Sequence, residues 1–166
     1  MFLAQTLKFW AFLLFFNRKY CIIYLNKNGV LCVFKLGEKM NKSKALNLNP
    51  VVLAFVGDAV YSLFVREKLT FNSDHKTGEL NKFATNEVKA TAQSEFVKEI
   101  SPLLNEEEMA IFKRARNAKK TTTAKNASVC EYNNATGFEA ILGFLYLTGD
   151  NDRLNFILNK GNTNES

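Results

Sequence analysis

Two stretches decide the fold: Val51–Val65, VVLAFVGDAVYSLFV, and Gly137–Leu147, GFEAILGFLYL. Each is almost solidly apolar, and each carries a single acid, Asp58 in the first and Glu139 in the second. Runs of this length exceed an ordinary strand, and neither alternates with period two. Asn49-Pro50 ahead of the first run is an N-cap followed by Pro at the first helical position. The reading is therefore two helices, apolar on every side, that form the centre of the molecule.

Working outward, the flanking segments are amphipathic. The first helix runs over Val51–Leu69 and ends in Arg66-Glu67-Lys68; Asn72-Ser73-Asp74 then caps a second helical region reaching Ile100. Its apolar positions Leu80, Phe83, Ala84, Val88, Ala92, Phe96 and Ile100 follow the three-to-four spacing. Ser101-Pro102 breaks it, and Asn105-Glu106-Glu107-Glu108 is a capping box opening a short helix. Residues 117–134 lack periodicity and are read as a long exposed loop. Gly149-Asp150 ends the second apolar helix and starts a last one, whose Leu154, Ile157 and Leu158 dock on the core. No segment from Asn49 onward reads as a strand, so the expected class is all-α.

The first 39 residues read differently. The 166-residue chain has a net charge of +6, but residues 1–39 hold six basic residues and one acid, leaving the other 127 nearly neutral. The apolar run Phe9–Phe16 is too short to span a membrane and has no signal-peptide flanks. Cys21–Leu25 and Val30–Phe34 are β-like and could pair across Asn26–Gly29. The segment resembles translated AT-rich DNA, and the expectation is a native start at Met40, with residues 40–166 as one domain. A peripheral membrane anchor built from residues 1–39 is the alternative.

The composition excludes several functions. One histidine, His75, and three cysteines without ligand spacing cannot build a His- or Cys-based zinc site, so any metal must be held by oxygen. The odd cysteine count suits a reducing compartment. Asp58 and Glu139 then stand out: a carboxylate on a buried helix is costly unless it is paired or bound to a cation. A buried ion pair would explain either acid alone, whereas two on the two central helices point to a shared cation or catalytic site. Gly57 and Gly143 permit close approach there, although simple helix packing would use them too.

A second constellation is basic. Lys113, Arg114, Arg116, Lys119, Lys120 and Lys125, with Asn117 among them, lie in a stretch without an acid until Glu131, and Thr121, Thr122, Thr123 and Asn126 add hydrogen-bond donors. A cationic helix end satisfies the helix dipole, which accounts for Lys113–Arg116 but not for the lysines beyond. Carboxylate-held metal beside a phosphate-binding loop suggests phosphodiester hydrolysis.

At this point a resemblance becomes specific. FVGDAVY is similar to the signature helix of ribonuclease III, GFEAILGFLYL resembles that family's later catalytic helix, and FKRARNAKKTTTAKN looks like its bacterial Mini-III branch. The likeness covers about Asn49 to Leu158. It implies an all-α, ribonuclease III-type catalytic domain without a double-stranded-RNA-binding domain, acting as a cytoplasmic homodimer. It implies cleavage of double-stranded RNA with Mg²⁺, or Mn²⁺ in its place, in trimming the ends of precursor 23S ribosomal RNA. A ribosomal protein or the pre-ribosome is a further implied partner. By the same resemblance Asp58 and Glu139 are the catalytic, metal-holding residues, and Lys113, Arg114, Arg116, Asn117, Lys119, Lys120 and Lys125 bind RNA. Full-length ribonuclease III has two further acids, where this chain has Ala54 and Thr136, so fewer metal ligands are expected. A non-catalytic RNA-binding dimer of the same fold is the rival reading.

Overall fold

A computed structural model describes residues 24–25, 31–32, 39–71, 74–119 and 127–160. The chain divides into two compact units, Met1–Glu38 and Lys39–Ser166. In the first, strands β1 (Tyr24–Leu25) and β2 (Leu31–Cys32) pair antiparallel, Tyr24 opposite Cys32 and Leu25 opposite Leu31. This pairing joins residues of the two β-like runs; the rest of the expected hairpin, including Asn26–Gly29, lies outside the described residues.

Among its described residues, the second unit is helical: α1 (Lys42–Leu46), α2 (Pro50–Phe71), α3 (Thr77–Glu87), α4 (Ala90–Ile100), α5 (Glu106–Arg116), α6 (Val129–Thr148) and α7 (Asn151–Leu158). A 3₁₀ turn, Ser101–Leu103, joins α4 to α5. The all-α expectation holds for this unit. Helix α6 is the centre: every residue from Ala135 to Leu145 except Glu139 is buried, and α2, α4 and α5 pack round it. Tyr61 of α2 meets the Phe138 ring of α6 edge-on at 5.1 Å, and Phe96 of α4 closes the same cluster. None of the described helices is long and apolar enough to cross a membrane.

Four details depart from the sequence reading. Helix α1 was not expected; Asn41 caps it, accepting from the Ser43 N–H. The helical region reaching Ile100 is two helices, since α3 ends at Glu87 and Lys89 is extended at the start of α4. No Gly or Pro marks that break. The buried Gln93 amide donates to the Val88 carbonyl at 3.1 Å, so a side chain replaces the backbone bond lost there. Of the loop expected over 117–134, residues 129–134 are helical, because α6 begins at Val129: Ser128 accepts from the Glu131 N–H and the Glu131 carboxylate accepts from the Ser128 N–H, a capping box; residues 120–126 lie outside the described residues.

The fourth departure concerns α2, which is not buried on all sides. Val51, Val52, Phe55 and Leu63 are exposed, Phe55 to 80% and Leu63 to 61%. One face of α2 packs on α6, and the opposite face is an apolar stripe open to solvent in the single chain.

A buried ion pair fixes the far end of the bundle. Glu108, 1% exposed, receives both Nε and an Nη of Arg153 at 2.8 Å, and the same guanidinium donates to the Leu103 carbonyl. Burial pushes the Glu108 carboxyl up, but hydrogen bonds from Arg153 and the Asn105 N–H, with the arginine charge, hold it below the usual carboxylate range. The sequence reading found the Asn105 capping box but not this partner, 45 residues away.

Candidate active site

At Gly57 and Gly143 the two central helices meet backbone to backbone. A methyl group placed on Gly57 of α2 would lie 1.7 Å from the Glu139 carbonyl oxygen of α6, and one on Gly143 would lie 2.0 Å from the Leu53 carbonyl oxygen. Real Cβ atoms do not come that close, so only glycine at both positions allows the backbones to touch. The register of this contact involves both acid positions. Asp58 follows Gly57, and Glu139 is the residue whose carbonyl Gly57 faces.

The environments of the two acids differ. Glu139 is half-buried in the otherwise buried stretch of α6 and has interactions of its own. Asp58 is exposed, which corrects the expectation of a carboxylate enclosed by apolar helix. On the helical wheel it falls at the border between the face packed on α6 and the open apolar stripe, so solvent reaches it.

The positions where full-length ribonuclease III carries additional acids are closed here. Ala54 is buried, and Thr136 is buried with its hydroxyl donating to the Tyr132 carbonyl at 2.9 Å. Among the described residues no group of three or more Asp, Glu, His or Cys side chains could enclose a metal. One exposed and one half-buried carboxylate nonetheless suit one kind of ion. Mg²⁺ keeps several waters and commonly takes one or two protein carboxylates plus substrate phosphate oxygens.

The basic stretch lies at the end of α5. Lys113, Arg114, Arg116, Asn117 and Lys119 are all exposed, while Lys120 and Lys125 fall outside the described residues. Arg114 is partly committed to structure, donating to the Leu46 carbonyl at the end of α1 at 2.5 Å. Asn117 is the C-cap of α5, its N–H bonded to the Lys113 and Ala115 carbonyls. Glycine on α6 matters here too, for a side chain at Gly137 would strike the Phe112 ring of α5 at 2.6 Å. Helix α6 thus positions both the acids and the helix that carries the cations. Sequence reading missed one polar link near the site: Asn134 of α6 donates to Ser94 of α4 at 3.1 Å, a pair 40 residues apart with no local signature.

With this arrangement in hand, comparison with known proteins is decisive. The Ribonuclease III domain family matches residues 51–150, which include both acids and the basic stretch. The chain belongs to the ribonuclease III family. Within it, the chain is 48% identical over 124 residues to the Mini-ribonuclease 3 of Clostridium tetani, covering 74% of this chain and 82% of that protein. It is 50% identical over 121 residues to the Mini-ribonuclease 3 of a Thermoanaerobacter species, covering 73% and 85%. A crystal structure of a Fusobacterium nucleatum protein superposes with a TM-score of 0.63 at 35% identity, covering 68% of this chain and 90% of that one. The chain is accordingly a ribonuclease III-type endoribonuclease acting on double-stranded RNA. Dependence on a divalent metal goes generally with the family.

Proposed function

We propose that this ribonuclease III enzyme is a cytoplasmic homodimer that trims the ends of precursor 23S ribosomal RNA, with Asp58 and Glu139 holding Mg²⁺ at each site. The observation that supports the reading is the glycine crossing, where Gly57, the neighbour of Asp58, packs against the backbone of Glu139. When bound, Mg²⁺ supplies charge neutralisation and a water acidic enough to yield a nucleophile near neutral pH; Mn²⁺ can take its place. Exposed Asp58 is open to water and to phosphate, while half-buried Glu139 is held by the core of the bundle. With Ala54 and Thr136 closed, Asp58 and Glu139 would hold the ion and leave its remaining positions to water and RNA phosphate. Retention of both acids favours this enzyme over a non-catalytic RNA-binding dimer. Both lie in the compact unit Lys39–Ser166, which serves as the catalytic domain.

The open stripe of α2 is the dimer face. Contiguous exposed apolar surface marks an interaction site, and Val51, Val52, Phe55 and Leu63 supply it beside Asp58. Pairing two copies there gives two sites, one for each strand of a duplex. Phe55→Glu should convert the dimer to monomer in sedimentation at micromolar concentration while keeping helical content. A dimer unaffected by that change would move the interface elsewhere.

Lys113, Arg114, Arg116, Asn117, Lys119, Lys120 and Lys125 position the RNA through its phosphates, and a duplex read this way is recognised mainly by shape. Replacing Lys119, Lys120 and Lys125 together by Ala should weaken binding and lower the log–log salt slope by about two to three. Cleavage at saturating RNA should persist. An unchanged salt slope would remove the loop from the interface and leave pre-ribosomal proteins as the source of positioning.

A further inference from the structure

On the side of α2 away from the apolar stripe lies a groove of about 710 Å³, shared with α4 and the end of α7. Neither carboxylate of the active site lines it. Its walls carry Phe64, Phe71 and Phe96, of which Phe71 is 80% exposed, and its rim carries the acids Glu67, Glu87, Glu95 and Glu99. Among the described residues the cations lining it are Lys68 and Lys160, and Lys98 pairs with Glu95 from beside it at 2.7 Å, so the acids still outnumber the cations. The unit that presents its cations at the end of α5 therefore collects acids here, on a surface unsuited to RNA.

The groove already holds one ammonium. Lys160, just past α7, sits with Nζ 5.0 Å from the centroid of the Phe96 ring and 2.5 Å from the Glu99 carboxylate. Its backbone adopts φ 56°, the left-handed region that a lysine rarely occupies. A lysine clasped between an aromatic face and a carboxylate shows what this surface recognises. Lys68 repeats the ionic half of the pattern with Glu87 at 3.4 Å, and Glu67 has no ion-pair partner among the described residues. Exposed pairs of this kind are weak, so an incoming cation can exchange with them at little cost.

We infer that this groove is a docking site for a lysine- and arginine-rich segment of a partner protein, its cations meeting Glu67, Glu95 and Glu99 and an apolar side chain resting on Phe64 and Phe71. Charge complementarity selects the occupant: acids exclude nucleic acid and anionic surfaces, and the aromatic floor rewards cations and apolar groups together. Because the groove and the Phe55 stripe lie on opposite sides of α2, docking is compatible with dimerisation. The inference is independent of the proposed metal chemistry.

The test uses the full chain and a fluorescein-labelled nonapeptide of repeating Lys-Lys-Leu, followed by anisotropy at low and high salt. Saturable binding that weakens with salt is expected. The triple variant Glu67→Lys, Glu95→Lys, Glu99→Lys should bind about tenfold more weakly, and Phe71→Ala, at an exposed position, should also lose affinity. Asp58→Asn should bind the peptide as the wild type does. No binding by the wild type, full affinity in the triple variant or in Phe71→Ala, or loss of binding in Asp58→Asn would each overturn the inference.

Discussion

Asp58→Asn should lower single-turnover cleavage of double-stranded RNA by about three orders of magnitude while leaving folding and RNA affinity intact. The size follows from the role proposed for the residue. Losing a charged metal ligand removes several kcal/mol of transition-state stabilisation, and each 1.36 kcal/mol is about tenfold in rate. The substitution is nearly isosteric and lies at an exposed position, so no core is disturbed. Glu139→Gln should act in the same direction, with part of the loss recovered in Mn²⁺. Rapid-quench cleavage at saturating RNA, with affinity measured separately in Ca²⁺, distinguishes lost chemistry from lost binding. Wild-type turnover in Asp58→Asn would remove this residue from the mechanism.

Gly57→Ala should damage stability and activity together. Its added methyl would stand 1.7 Å from the Glu139 carbonyl oxygen, with backbone on both sides and no flexible side chain to move away. The helices must separate, and overpacking of this kind costs about 3 kcal/mol or more. Displacing a reacting group by about 1 Å can by itself cost about a hundredfold in rate. Chemical denaturation gives the first quantity, and cleavage by the fraction still folded gives the second. Gly78→Ala is the control, since a side chain there meets nothing within 4 Å. Native stability and rate in Gly57→Ala would mean that the crossing does not set the spacing of the acids.

Much of this was legible in the sequence because the central features are local. The two apolar runs, the Asn105 capping box and the Gly149-Asp150 junction each show within a few residues, and each forms where it was read, although α2 is buried on one face only; Gly149 is left-handed at φ 73° and Asp150 accepts from the Arg153 N–H. The start of α6 was legible too: Ser128 and Glu131 have capping-box spacing, masked by Asn133 and Asn134, which suggest a loop. The division between α3 and α4 was not, because its stabilising bond comes from Gln93 and the apolar periodicity runs on through the break. Nor was the Glu108–Arg153 pair, which joins elements far apart in the chain.

The candidate site divides in the same way. Asp58 and Glu139 stand out because single acids interrupt apolar helices, but that contrast overstates the burial of Asp58. An apolar face looks alike in sequence whether it packs on the same chain or awaits another, and the Phe55 stripe is of the second kind among the described residues. The basic stretch shows as charge, while the anchoring of Arg114 on Leu46 depends on a helix, α1, that carries no sequence signal beyond its Asn41 cap.

The central claim is that two carboxylates at a glycine crossing make a metal-dependent site for cutting duplex RNA. Single-turnover cleavage of a double-stranded 23S precursor end, run against Mg²⁺ concentration and against chelator, tests it most directly. With Asp58 and Glu139 as the proposed metal-holding carboxylates, the account predicts no cleavage in chelator. It also predicts half-maximal rate at a Mg²⁺ concentration that falls as RNA approaches saturation, because RNA phosphate completes the metal's shell. Cleavage that persists in chelator, or no cleavage of the duplex at any Mg²⁺ concentration, would contradict it.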